Sequence, residues 1–206
     1  MSTPTLFVDR DGTLIEEPPD DLVDSLRKVR FMPGVFAALG ELTRHGFHLV
    51  MVTNQESSGT TSFPGREFEE TQGFILDAFR SQGISFDAVF VWPSKTTEAC
   101  HYRNPLLGLV EEYLTRHHID RSRSAVVGDR DADLKLAAQL GIRGFTVRHI
   151  GAPEHTWLRV SEALLARRAQ VRRHTSETRV LARVNLDSFV PVLAATGIGF
   201  FDHMLE

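Results

Sequence analysis

The chain has a single cysteine, Cys100, among 206 residues, so no internal disulfide can brace it, and this sparse thiol usage suits a reducing compartment. No apolar run approaches the length of a bilayer span. The N-terminus, Met-Ser-Thr-Pro-Thr, lacks a basic segment leading into an apolar stretch, so no secretory signal is expected. There is no basic excess either: 23 Lys and Arg against 27 Asp and Glu leave a formal charge of −4, which gives no reason to expect nucleic acid as a partner. These absences point to a cytoplasmic protein without a membrane or nucleic-acid partner. The length leaves room for one good-sized domain with some chain left over, and 42% hydrophobic with 24% charged residues is ordinary for a globular protein.

The chemistry is concentrated in Leu6-Phe7-Val8-Asp9-Arg10-Asp11-Gly12-Thr13-Leu14. Three apolar residues read as a buried strand, and Gly12 lets the chain turn sharply at its end. Carboxylates two apart on an extended backbone point the same way, so Asp9 and Asp11 can serve one reaction centre. One can attack phosphorus as a nucleophile while the other handles the leaving-group proton. A bare Asp-x-Asp is equally a polar turn; the longer string is far more specific.

Along the rest of the chain, strands alternate with helices. Glu16 to Arg30 is polar and reads as a loop. Val35, Leu39 and Leu42, with Phe36 and Ala38, give helical spacing closed by Gly46. A second strand is expected at 48–53, ending in Thr53-Asn54-Gln55, and an exposed loop at 56–65. Phe68, Ile75, Leu76 and Phe79 mark a helix, 86–92 a third strand, and Pro105 is a good first residue for a third helix. A strand at 124–127 runs into Gly128-Asp129-Arg130, a helix follows at 134–140, and 144–147 reads as a fifth strand before a last helix from Trp157. This alternation predicts an α/β fold, a doubly wound parallel sheet covered on both faces. Ligands in such sheets lie at the carboxyl ends of strands near the topological switch point. Asp9, Thr53 and Asp129 each come at such an end. Taken singly, Thr53-Asn54 is as well a strand-end turn and Asp129 a helix cap.

The string from Phe7 to Ile15, together with Thr53 and Gly128-Asp129-Arg130-Asp131-Ala132-Asp133, resembles the motifs of the haloacid-dehalogenase-like phosphatases. The resemblance implies a Rossmann-like sheet, Asp9 as nucleophile forming an aspartyl-phosphate, and Asp11 as the acid/base. It implies phosphate binding at Thr53 and Asn54, and a magnesium site made by Asp9 and Asp129 with the Asp11 carbonyl. Asp133 reads as a residue just outside the metal ligands, or as simply solvated. Within the superfamily, Val52-Thr-Asn-Gln and Thr61-Ser-Phe-Pro resemble the histidinol-phosphatases, which form the N-terminal half of bifunctional histidine-biosynthesis enzymes. A sister group acts on heptose 1,7-bisphosphate, so the first motif alone leaves a sugar phosphate open as substrate. In either case the expected partner is a small phosphate ester.

The tail carries a second resemblance. Thr175-Ser-Glu-Thr, Arg183-Val-Asn-Leu-Asp and the run 196–205 are similar to the opening of imidazoleglycerol-phosphate dehydratase. That implies manganese binding by His203 and substrate contact by Glu177 once a complete dehydratase is present. The chain ends at Glu206, before the His-His-x-x-Glu motifs of that family, so this α+β segment is expected to be incomplete and inactive alone. For the full-length chain a homo-oligomer is left open, because the oligomeric state is not legible in this sequence. The expected organisation is a phosphatase-like domain at 1–167, a basic linker at 168–174 and the dehydratase-like segment at 175–206.

Two positions depart from the family pattern. The three Cys and one His that hold zinc in the nearest members correspond to Trp92, Ser94, Cys100 and Tyr102; even with His101 nearby this cannot close a tetrahedral site, so no zinc is expected. The family lysine in Arg-Lys-Pro is replaced in Arg103-Asn104-Pro105. Two carboxylates and a phosphate dianion carry about four negative charges against magnesium's two, and loss of one preorganised positive donor costs ~10²–10³ in rate. Lys95, Arg103 and Arg130 are the candidate replacements, with Arg10 and Arg130 equally readable as surface residues. A degenerate phosphatase domain kept as an appendage of the dehydratase is the alternative reading.

Overall fold

The structure is a computed structural model that describes residues 2–54, 65–92, 105–148, 155–187 and 197–205; the side chains at 54, 92, 105–107, 109 and 205 are outside the description. Residues Met1–Leu164 and Leu165–Glu206 form two compact units.

The first unit is built on five parallel strands: β1 (Thr5–Val8), β2 (His48–Asn54), β3 (Ala88–Trp92), β4 (Ala125–Gly128) and β5 (Arg143–Thr146). Their order is β3-β2-β1-β4-β5. The doubly wound parallel sheet expected from the sequence is the fold observed. The winding runs outward from β1 through β2 to β3, then returns to place β4 on the other side of β1. The switch point therefore lies between β1 and β4, which pair as Phe7↔Val126 and Val8↔Val127.

β1 and β4 are buried along their whole length because the sheet is covered on both faces. On one face, Phe7, Val50, Val52 and Val126 pack with Val110 and Tyr113 of α3 (Pro105–Arg116) and Leu136, Ala137 and Leu140 of α4 (Asp131–Leu140). Leu6, Val8, Leu49 and Met51, of opposite parity, are equally buried. Met51 Sδ accepts a hydrogen bond at 3.2 Å from Gln72 of α2 (Gly65–Ser81), which places that helix on the second face. α2 meets α1 (Val35–Arg44) through Phe79 and Phe36, with ring centroids 4.8 Å apart. Each such fully buried large apolar side chain contributes about 1.5–3 kcal/mol of transfer free energy.

Boundaries differ from the sequence expectation where side chains set them. The third strand begins at Ala88, not at residue 86, because Asp87 caps it: its N–H and carboxylate both bond to Leu49, at 2.8 and 2.9 Å. α4 begins at Asp131, three residues early, because Asp133 accepts a hydrogen bond from the Arg130 N–H at 3.1 Å and so caps the first turn. Within the polar stretch 16–30 lies a short 3-10 helix, Leu26–Lys28, where Lys28 pairs with Asp20 and Asp24 at 2.6 and 3.0 Å. α5 (Trp157–Leu165) closes the unit.

The second unit corrects the expectation of a basic linker. Residues Arg168–His174 are a strand, β6, paired antiparallel with β7 (Arg179–Asn185). The turn is fixed by Thr175, whose N–H donates to the Thr178 carbonyl at 2.9 Å, and the open end by an Arg167–Asp187 pair at 2.7 Å. The register puts Arg168, Arg172, Arg179 and Arg183 on one face of the hairpin with Leu181, and Ala169, Val171, Val180, Ala182 and Val184 on the other with Arg173, a period-2 pattern masked in sequence by the run of charge. A short helix, α6 (Gly199–Leu205), follows. Among the described residues, no helix is long and apolar enough to cross a membrane.

Candidate active site

Three strand ends deliver the acidic and hydroxyl groups to one edge of the sheet. Asp9 directly follows β1, and its N–H donates to the Val127 carbonyl at 3.0 Å, which locks it to β4. Asp129 directly follows β4. Thr53, fully buried, stands near the end of β2; Asn54 closes that strand. Gly12 turns the chain back at φ +71°, and the Arg10 carbonyl collects the N–H groups of Leu14 and Ile15 at 2.8 and 3.1 Å.

Asp9, Asp129 and Asp133 each bring a carboxylate oxygen within 4.8 Å of the others. Asp133 thus stands among the candidate metal ligands, whereas the Asp11 carboxylate is taken by Arg10, through Nε–Oδ1 and Nη2–Oδ2 contacts of 2.9 and 2.8 Å. The backbone is drawn tightly around this group: a Cβ at Gly12 would lie 2.3 Å from Asp129 Oδ2, and one at Gly128 would lie 2.1 Å from the Asp133 carboxylate. Burial raises Asp9 well above the ordinary carboxylate value, and the charges of Asp133, Asp11 and Asp129 add to the rise. Burial also raises Asp129 and Asp133. Asp129 Oδ1 is buried and, among the described residues, has no hydrogen-bond partner. Three clustered carboxylates, one with an orphaned buried oxygen, are an all-oxygen donor set of the kind that hard divalent cations take.

A cleft of about 410 Å³ opens beside Asp129, lined by Gly12, Glu16, Glu17, Met32 and Arg148 among others. Arg130, a candidate replacement cation, is half-exposed; it pairs with Glu17 and comes within 3.9 Å of Asp129 Oδ2. Arg10 is not a surface residue: it is fully buried. Sequence reasoning missed both this and the ligand role open to Asp133. The flanking of one arginine by two carboxylates was the available signal for the first. The three-residue offset from the Arg130 N-cap was the signal for the second.

Glu177 lies exposed in the hairpin turn of the second unit and His203 exposed on α6, and among the described residues no cluster of three metal-type ligands forms around either. Lys95, Arg103 and Asn104, the zinc-loop positions Ser94, Cys100, His101 and Tyr102, and the loop 55–64 lie outside the described residues, as does the Trp92 side chain.

Residues 101–165 match the HAD-hydrolase-like family model. The fold covers 98% of the D,D-heptose 1,7-bisphosphate phosphatase of B. bronchiseptica, a structure complexed with magnesium and phosphate, using 79% of this chain, with a TM-score of 0.66 and 27% identity. With the parallel sheet, these findings make the first unit similar to the haloacid-dehalogenase-like proteins in fold and, over residues 101–165, in sequence. Over nearly its whole length it is also similar to curated relatives named "Histidine biosynthesis bifunctional protein HisB". It is 44% identical to that of Legionella pneumophila over 203 residues, and 43% identical to that of Xylella fastidiosa over 208. The matches take in 98% and 99% of this chain, but the chain spans only 56% and 55% of those relatives' lengths.

The raised carboxyls give a test by pH. A carboxyl whose folded pKa lies above its unfolded one binds more protons folded than unfolded between the two values. This cluster's contribution to stability therefore declines as pH rises from about 3.8 through the raised folded values. Asp133→Asn removes one like charge and keeps an acceptor for the Arg130 N–H. Thermal melts in chelator at about pH 5 and about pH 8 should show a smaller decline for the variant, and added magnesium should raise its melting temperature less than that of wild type. Identical pH slopes for the two proteins would refute the electrostatic reading of the cluster.

Proposed function

We propose that the first unit is a magnesium-dependent phosphomonoesterase that hydrolyses L-histidinol phosphate in histidine biosynthesis, within the reducing, cytoplasmic setting that the lone cysteine suits. The observation that carries this reading is the convergence of Asp9, Asp11 and the Asp9–Asp129–Asp133 group at the switch point of the sheet. The substrate assignment rests on the histidine-biosynthesis relatives.

In this mechanism, an Asp9 carboxylate oxygen attacks phosphorus and forms an acyl-phosphate bond. The ester P–O bond breaks, and Asp11 donates a proton to the departing alcohol oxygen. Asp11 then takes a proton from water, whose oxygen attacks the same phosphorus and frees Asp9 and inorganic phosphate. Thr53 and Asn54 hold the phosphate oxygens. Magnesium, which Asp9, Asp129 and Asp133 would hold, supplies positive charge against the phosphate and the carboxylates. The dehydratase-like second unit is proposed to act only as part of a longer chain, with His203 as a manganese ligand and Glu177 as a substrate contact.

Phosphate release from L-histidinol phosphate, measured with and without magnesium, tests the reading, with Asp9→Asn as control. Release that needs magnesium and falls by 10³-fold or more, on the order set by loss of a covalent nucleophile, is the expected result. A folded wild-type protein that releases no phosphate, and gains activity with Asn104→Lys, would instead support the degenerate appendage. The likeness to the heptose bisphosphate phosphatase favours one second reading, a sugar phosphate as substrate. Faster turnover of heptose 1,7-bisphosphate than of histidinol phosphate would establish it.

A further inference from the structure

Arg10 lies in sequence between the two carboxylates of the proposed reaction, yet its side chain is fully buried. On a continued strand, residue 10 would point away from residues 9 and 11. The turn at Gly12 and the length of the side chain reverse this, and the guanidinium grips Asp11 with a two-atom fork, Nε to Oδ1 at 2.9 Å and Nη2 to Oδ2 at 2.8 Å. The far side of the guanidinium is held by α2: Nη1 donates to Gln72 Oε1 at 3.1 Å, and the Phe68 ring centroid is 4.9 Å from its central carbon. Gln72 is itself fixed by its bond to Met51 Sδ.

A buried cation needs compensation, and one carboxylate contact would provide much of it. Two parallel contacts do more, because they fix the plane of the carboxylate as well as its position. An ionised carboxylate has about four acceptor sites, so the fork leaves each oxygen able to exchange a proton. We infer that Arg10 is a positioning residue for Asp11, holding its carboxylate in the plane from which it protonates the leaving oxygen, and that Gln72 and Phe68 transmit this constraint from α2. The inference rests on the phosphatase reading above.

The test uses leaving-group dependence. An alkyl phosphate needs a proton on its departing oxygen, whereas p-nitrophenyl phosphate departs without one, and kcat/KM reports through the first irreversible step, in which Asp11 is the donor. The alkyl ester is the one wild type turns over, histidinol phosphate or the sugar phosphate. Arg10→Lys keeps the charge and loses the fork; it should cut kcat/KM on the alkyl ester about 10- to 100-fold, the scale of a misplaced proton donor, and on the aryl ester less than about threefold. Gln72→Leu, which leaves Arg10 and Asp11 in place, should show the same split to a smaller degree. In an Asp11→Asn background, Arg10→Lys should cause no further loss on the alkyl ester. Equal losses on both esters would overturn the inference and leave Arg10 a purely structural cation. Should Arg10→Lys fail to give a cooperative melt, the Gln72→Leu ratio decides by the same criterion. A wild-type protein inactive on every ester would remove the phosphatase reading and this inference together; an active wild type with an unchanged ratio would remove this inference alone.

Discussion

Gly12→Ala is expected to lower kcat/KM of the proposed phosphatase reaction about 10²-fold while the first unit stays folded. Gly12 has φ +71°, so a side chain there strains the backbone by about 1–2 kcal/mol. The larger effect is steric. The added Cβ would stand 2.3 Å from Asp129 Oδ2 and 2.6 Å from its Cγ, distances at which something must move. The atoms in the way are the end of a side chain, so Asp129 rotates before the backbone yields. That carries one carboxylate out of the Asp9–Asp129–Asp133 group and should shift the magnesium dependence to higher concentration. Gly46→Ala separates the two causes: Gly46 has φ +80° and nothing within 4 Å of the added Cβ. It should lose stability on the same scale and keep its activity. Activity in Gly12→Ala as high as in Gly46→Ala would show that Asp129 does not need its observed place.

Trp157→Ala is expected to destabilise the first unit by about 3–5 kcal/mol. At 2–4 °C per kcal/mol for a domain of this size, the melting temperature should fall by roughly 6–20 °C. Trp157 is the largest of the fully buried side chains, 1% exposed, and its indole N–H donates to the Thr13 carbonyl at 2.8 Å. That carbonyl belongs to the turn that follows Asp9 and Asp11. The residue therefore fills the core beneath α5 and also ties down, from outside the sheet, the turn that follows Asp9 and Asp11. Trp157→Phe retains most of the apolar volume and loses only the donor, so it should lose about 1–3 kcal/mol, the cost of a buried carbonyl left unmatched. A melting temperature unchanged in Trp157→Ala would show that the indole carries none of this load.

Local features carried much of the fold into the sequence. The apolar run before Asp9, the helical spacing of Val35, Leu39 and Leu42, and the glycines that close helices depend on contacts within a few residues, and each marks an observed element. The alternation of strands and helices then required a parallel sheet, and the strand ends named Asp9, Thr53 and Asp129. The basic stretch at 168–174 is a strand whose pattern is not legible locally. Three arginines and a histidine with only Ala169 and Val171 as apolar residues between them look like a solvated run until a partner strand, Arg179–Asn185, supplies the ladder.

The sequence by itself determined the class of sheet and the edge of it on which the acidic groups stand, because period and turn chemistry are local. Tertiary structure alone decided which carboxylates meet. Asp133 joins Asp9 and Asp129 because the Arg130 cap aims it back across the switch point, and Asp11 is claimed by Arg10 because a long side chain can double back on a turn. It also decided that Arg10 is buried, since the residues that cover it, Phe68 and Gln72, come from a helix more than fifty positions away. Nothing within a few residues of position 10 encodes that contact; it exists only once α2 has packed on the face of the sheet opposite α3 and α4.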